Sequence, residues 1–231
     1  MEAFGNITRI EPAGIDGLIV YFEHDTLSQT NQAVQAMKRA LKHSNPVWLN
    51  ALIPGYDSLL VLFNLQHADV HTVYQALRHA KPTGQSQHKS EHYTLPVWYQ
   101  AASADDFDAI SQHTGLTASQ IIEHHTSQDF HVFTVGFAPG FAYMGELPEV
   151  LSCPRLTTPR TRVPKGAVAI ADRQTAVYPS DSPGGWHLLG LCPTALFDLT
   201  WQQPVKLQPG DTVRFYAIDE QQYKALCNEP G

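Results

Sequence analysis

Long apolar runs are missing from this 231-residue chain: none exceeds Leu59 to Phe63, far short of the roughly 18 residues that a membrane-spanning helix needs. Cysteine is scarce and unpatterned. Cys153, Cys192 and Cys227 are odd in number and show no Cys-x-x-Cys spacing, so neither a disulfide framework nor a thiolate zinc site is signalled. Charge is thin at 16%, and 15 Lys+Arg against 22 Asp+Glu leave a net charge of -7. That balance excludes nucleic acid and a membrane surface as expected partners unless cations gather locally. The first residues, MEAFGN, have neither the cationic start nor the apolar stretch of a secretory signal, and the expected location is cytoplasmic. No Walker motif occurs: Gly140 to Gly145 has the spacing of a phosphate loop, but Glu146-Leu147 stand where Lys-Ser/Thr are required.

What is present reads as a globular protein, 43% apolar, long enough for one large domain or two small ones. Ile15 to Glu23 reads as a strand. Thr26 with Gln29 forms a capping-box start for a helix over about residues 28–42, with Ala33, Val34, Met37, Ala40 and Leu41 as its stripe. Val47 to Ile53 and Ser58 to Phe63 form a strand pair around the turn residues Pro54-Gly55-Tyr56-Asp57. Asp69 caps a second helix carrying Val70, Val73, Tyr74 and Leu77, and Thr94 to Trp98 is expected to close the first sheet. The polar stretch from Lys81 to His92 is the expected linker. It divides the chain into domains 1–90 and 91–231. Beyond it, Ser103 opens a short helix with Phe107 and Ile110, and Thr117 with Gln120 caps another. Residues 136–190 hold 7 of the 16 prolines and 7 of the 15 glycines around short β-type runs, the texture of an irregular β domain with long ordered loops. Asp211 to Ile218 reads as its last strand.

Three constellations carry chemistry. The first is the loop Gly136 to Gly145, where Phe137, Phe141 and Tyr143 interleave with glycines and form either ligand walls or core packing. In the second, Pro154-Arg155, Pro159-Arg160 and Pro164-Lys165 repeat every five residues with Arg162 between them. Proline withdraws N–H donors, so guanidinium forks would face a carboxylate or phosphate. The competing reading is a solvated basic face paired with acidic neighbours. The third is Gln174 to Trp186, in which Pro183-Gly184-Gly185 forms either an anion-binding nest beside Trp186 or a tight turn locked by a buried Trp. Among 12 histidines, His67/His71 and His88/His92 lack the His-Glu-x-x-His pattern. His124-His125 with His131 lack acidic or thiol partners at recognisable spacing, so no metal site is assigned. His125 is the candidate for acid/base or hydrogen-bonding work, against a core or capping role.

GFAPGFAYMGELP (136–148), PRLTTPRTRVPKGAVAIADRQTAVYP (154–179) and SPGGWHLLG (182–190), in that order, closely resemble the family of 5-oxoprolinase B subunits. That family also includes the sporulation kinase inhibitor KipI and the allophanate-hydrolase subunit 1 (carboxyltransferase C/D) module. LIPGYDSLLVLF (52–63), TLPVWY (94–99) and IIEHHTS (121–127) fit the same pattern. The resemblance implies an α+β chain: a small ferredoxin-like N-terminal domain, then a cyclophilin-like β-barrel. It implies a homologous C-type subunit and an ATP-using A-type subunit as partners, and a small anionic substrate. The reaction would be ATP-dependent opening of the 5-oxo-L-proline lactam to L-glutamate, with the chain inactive alone. ATP is used by the complex, and no cofactor is assigned to this chain. His125 and Arg160 are the expected catalytic residues, and Arg155, Gln174, Tyr178, Gly184, Gly185 and Trp186 the expected substrate-binding ones. Arg160→Ala is expected to lower turnover with little loss of stability. Departures from the family pattern are Ala169, Asp172 and Ala176 in place of glycines, and Tyr99-Gln100-Ala101 in place of Tyr-Gly-Gly. Alternatives are inhibition of a sensor histidine kinase and a role in urea or allophanate metabolism.

Overall fold

Strands with one apolar face and caps written into the local sequence build the N-terminal part. The computed structural model describes residues 7–80 and 90–228. The chain divides into two compact units between Lys89 and Ser90. The first runs β1 (Ile7–Pro12), β2 (Gly17–Phe22), α1 (Leu27–Ser44), β3 (Leu49–Pro54), β4 (Ser58–Phe63) and α2 (Val70–His79). Its sheet is antiparallel, in the order β1-β2-β4-β3. Alternate residues of β2 and β4 (Leu18, Val20, Phe22, Leu59, Val61 and Phe63) share a core with Val34 and Met37 of α1 and Val73 and Leu77 of α2. Both expected caps form: Thr26 accepts from the Gln29 N–H and Asp69 from the Thr72 N–H.

Two strand assignments change. The periodicity offers no strand before Ile15, yet β1 fills the outer position beside β2. Thr94 to Trp98 belongs instead to β5 (His92–Tyr99) of the second unit, because Leu95, Val97 and Tyr99 alternate toward a different core. Of the expected linker, residues 81–89 lie outside the described residues and His92 already opens β5.

The second unit continues with α3 (Phe107–Thr114), α4 (Ala118–Thr126), β6 (Asp129–Val135), β7 (Ala142–Gly145), β8 (Arg160–Val163) and β9 (Ala167–Ala171). It ends with β10 (Gln174–Val177), β11 (Ser182–Gly184), β12 (His187–Leu191), β13 (Thr212–Ala217) and α5 (Glu220–Asn228). Seven strands close into a barrel in the order β10-β7-β6-β13-β5-β12-β9, with β13 and β5 parallel, and β8 pairs with β11 in a separate ribbon. The class is therefore α+β with a barrel, as expected. Thr117 and Gln120 form a reciprocal capping box on α4. α3 starts at Phe107 rather than Ser103: residues 103–106 stay non-helical, and the Asp106 carboxylate is spent on longer-range partners instead of capping. Among the described residues, no helix is long and apolar enough to cross a membrane.

Candidate anion-binding site

The β9–β10 hairpin separates two clusters by simple alternation. Val168, Ile170 and Val177 point into the barrel, while Ala167, Ala169, Ala171, Ala176 and Tyr178 pack outside it. Gln174 stands opposite Gly145 on β7 and Ala171 on β9, and Ala176 stands opposite Ala169. The outer face is thus a floor of methyl groups. Ala169 and Ala176 each add one buried methyl to it. Asp172 makes the turn at φ 52°, a left-handed conformation that Asp tolerates better than most residues.

Aromatic rings stand on this floor. Phe141 meets Tyr143, Tyr178 and Trp186 edge-on at centroid distances of 4.8, 5.1 and 5.9 Å. Phe137 packs on Phe141 at 5.3 Å yet remains exposed, held at φ 70°. Pro183 and Gly184 lie in β11, paired with β8, and not in the turn expected there; a β-carbon at Gly184 would run into the Tyr178 hydroxyl. That close approach requires glycine. Burial pushes the Tyr143 and Tyr178 phenols up, opposed by the nearby Arg155 guanidinium, so both remain O–H groups at neutral pH.

The basic segment resolves residue by residue. Arg160 is consumed: its guanidinium grips both carboxylate oxygens of Asp106 at 2.5 and 2.6 Å and donates to the Trp186 carbonyl at 3.0 Å. Asp106 also accepts from the Leu188 N–H at 2.6 Å. These bonds lock the chain around Trp186, so the structure leads us to expect that Arg160→Ala costs stability as well as site order. Arg162 pairs with Asp181 at the surface, and with the Lys165 N–H it holds the Asp181 carboxyl below its usual range. Being exposed, this pair is expected to matter little: Arg162→Ala should leave the midpoint of a denaturant titration nearly unchanged. Arg155 differs. Its side chain is 58% exposed, its guanidinium lies 5.7 Å from the Trp186 ring centroid, and Asp172 holds it only at 3.9 Å.

The structure therefore brings together Arg155, Tyr178, Gly184, Gly185 and Trp186, with Gln174 on the same outer face. Trp186 is not an open wall. It is buried, with Phe141, Tyr143 and Arg155 packed about it. The accessible chemistry belongs to Arg155 and the half-exposed Tyr143.

His125 stands apart, fully buried in the barrel core and stacked on Phe215. Its Nδ1 lies 2.7 Å from the Tyr99 hydroxyl and its Nε2 2.9 Å from Thr175 Oγ1. Thr175 in turn donates to the Ala169 carbonyl. Desolvation pushes the imidazole down to about 3, so it is neutral at pH 7. A fully buried ring with both nitrogens engaged by Tyr99 and Thr175 braces the floor from behind. Sequence reasoning missed Asp106; the only available signal was its place in the acidic run before α3. Among the described residues, no three metal-ligating side chains converge.

Fold and site define an α+β protein with a closed seven-stranded barrel and an aromatic patch on its outer face that carries Arg155. The chain belongs to the family of the carboxyltransferase domain, subdomains C and D, whose model matches residues 8–207 and so spans both units. It is 38% identical over 164 residues to the B subunit of 5-oxoprolinase from Escherichia coli O157:H7, covering 71% of this chain and 75% of that one. Against the 5-oxoprolinase B subunit of Bacillus subtilis (strain 168) it is 29% identical over 238 aligned residues, covering 96% and 97%. Among solved structures, TTHA0988 superposes with a TM-score of 0.77 at 30% identity, over 88% of this chain. This chain spans 40% of that longer one. Urea amidolyase of Kluyveromyces lactis gives a TM-score of 0.75 at 15% identity over 95% of this chain, a likeness of fold alone.

Proposed function

We propose that this chain is the B subunit of an ATP-dependent 5-oxoprolinase, acting with a homologous C-type subunit and an ATP-using A-type subunit to hydrolyse 5-oxo-L-proline to L-glutamate. The relatives named as B subunits of 5-oxoprolinase support the reading. The observation that carries it is Arg155, an exposed and loosely paired guanidinium among tyrosine hydroxyls, suited to the carboxylate of a small substrate. A lactam is a poor electrophile. Phosphorylation of its carbonyl oxygen by ATP activates that carbon: one water adds to it, the C–N bond of the adduct breaks as the nitrogen takes up a proton, and a second water hydrolyses the resulting acyl phosphate to the carboxylate and phosphate. This chain binds and orients the carboxylate end, Arg160 and Asp106 keep the Trp186 turn in place, and ATP chemistry belongs to the partner. On this reading the two units are the N-terminal ferredoxin-like domain and the barrel domain of one polypeptide of the complex.

The test is reconstitution. Glutamate and ADP release are expected from the complete three-subunit complex and from no single chain. Arg155→Ala in that complex should raise KM for 5-oxo-L-proline by about tenfold or more, with a smaller change in kcat. An inactive complete complex, with the isolated chain blocking kinase autophosphorylation, would replace this reading by that of a kinase inhibitor.

A further inference from the structure

Gln174 presents a group that the fold does not satisfy. Its Oε1 is buried and has no hydrogen-bond partner among the described residues. The neighbouring positions on the outer face explain why: Gly145 and Ala171 flank it across the ladder, and Ala176 follows on its own strand. None of these side chains can donate a hydrogen bond. A buried carbonyl left unpaired costs about 1–3 kcal/mol, and an N–H of the ligand would remove that cost. Arg155 approaches the same hairpin, with its Nε 3.9 Å from Asp172, two residues before Gln174. An acceptor and a cation therefore border the same hairpin turn.

We propose that Gln174 is a specificity residue that accepts a hydrogen bond from the ring N–H of a carboxylate-bearing lactam while Arg155 holds the carboxylate. The inference rests on the 5-oxoprolinase reading above. In 5-oxo-L-proline the ring nitrogen is bonded to the carbon that bears the carboxylate, so donor and anion leave the ring from adjacent atoms. An acceptor and a guanidinium bordering one hairpin turn match that arrangement. Urea offers N–H groups without the carboxylate, and the corresponding lactone offers the carboxylate without the N–H. A site built around a substrate N–H rejects the analogue that lacks it, because its own buried polar atom then stays unpaired.

The probes are 5-oxo-L-proline and its ring-oxygen analogue, 5-oxotetrahydrofuran-2-carboxylate, with affinities measured on the complex with its partner subunits. The wild-type complex is expected to bind the lactam about 10–100-fold more tightly than the lactone. Gln174→Leu is expected to bring lactam affinity down to that of the lactone, with lactone binding unchanged within about twofold, which also shows that the variant is folded. Equal wild-type affinities would overturn the proposal whatever the variant does, and so would full discrimination retained by Gln174→Leu or equal weakening of both ligands. A wild-type complex that neither binds nor turns over 5-oxo-L-proline would instead bring down the functional reading, and this inference with it.

Discussion

Asp106→Ala is expected to lower unfolding stability by about 2–4 kcal/mol, measured as a shift in denaturant midpoint at constant m-value. The carboxylate accepts three hydrogen bonds: two from Arg160 and one from the Leu188 N–H. Side-chain exposure is 17% for Asp106 and 30% for Arg160, so deletion leaves a cation and an N–H short of solvent and of a partner. The loss should spread to the site, because Arg160 also donates to the Trp186 carbonyl. Asp106→Asn keeps an acceptor for Leu188 but loses the charge, and is expected to fall between wild type and Asp106→Ala. A loss for Asp106→Ala no larger than that for Arg162→Ala would mean that solvent screens this pair as it screens the surface one.

His125 should give the second large effect, visible against pH. Its folded-state pKa of about 3 lies below the ordinary 6.5 because burial penalises the cation. The unfolded chain therefore binds a proton that the folded chain refuses throughout that window. Stability is at its full value above pH 6.5 and falls as pH drops toward 3, at up to about 1.4 kcal/mol per pH unit from this group. His125→Ala removes that proton linkage and leaves a cavity beside the orphaned Tyr99 hydroxyl and a Thr175 hydroxyl that keeps only its bond to the Ala169 carbonyl, for a loss of about 3 kcal/mol or more at pH 7. Stability profiles of wild type and variant between pH 4 and 8 check both statements. Parallel profiles would show that another group accounts for the acid sensitivity.

The contrast between His125 and Thr117 shows what the sequence could disclose. A cap is a local event: Thr117 and Gln120 are three residues apart, and their reciprocal bonds follow from spacing. So do the caps at Thr26 and Asp69, and the alternation of small and large residues in Ala167–Ala171. The burial of His125 depends on Thr175, 50 positions away, and on Phe215, and its fate as a core group could not be read from its neighbours. Arg160 meets Asp106 across 54 positions, so periodicity within the Pro-Arg segment could not say which cation is consumed and which stays available. The same limit misplaced Thr94 to Trp98. Its apolar pattern fits either sheet, and the long-range pairings with Thr212–Ala217 and with Gly190 and Leu191 assign it to the barrel. Glycine spacing fared better, since the contact of Gly184 with Tyr178 is the close approach that a Pro-Gly-Gly stretch permits.

The most direct test of the central claim is a crystal structure of the complete complex with 5-oxo-L-proline bound. The account predicts the ligand on the outer face of the β9–β10 hairpin, its carboxylate on Arg155 and its ring beside Tyr143 and Gln174. A ligand seated within the barrel against His125, or on a partner chain with no contact to Arg155, would contradict it.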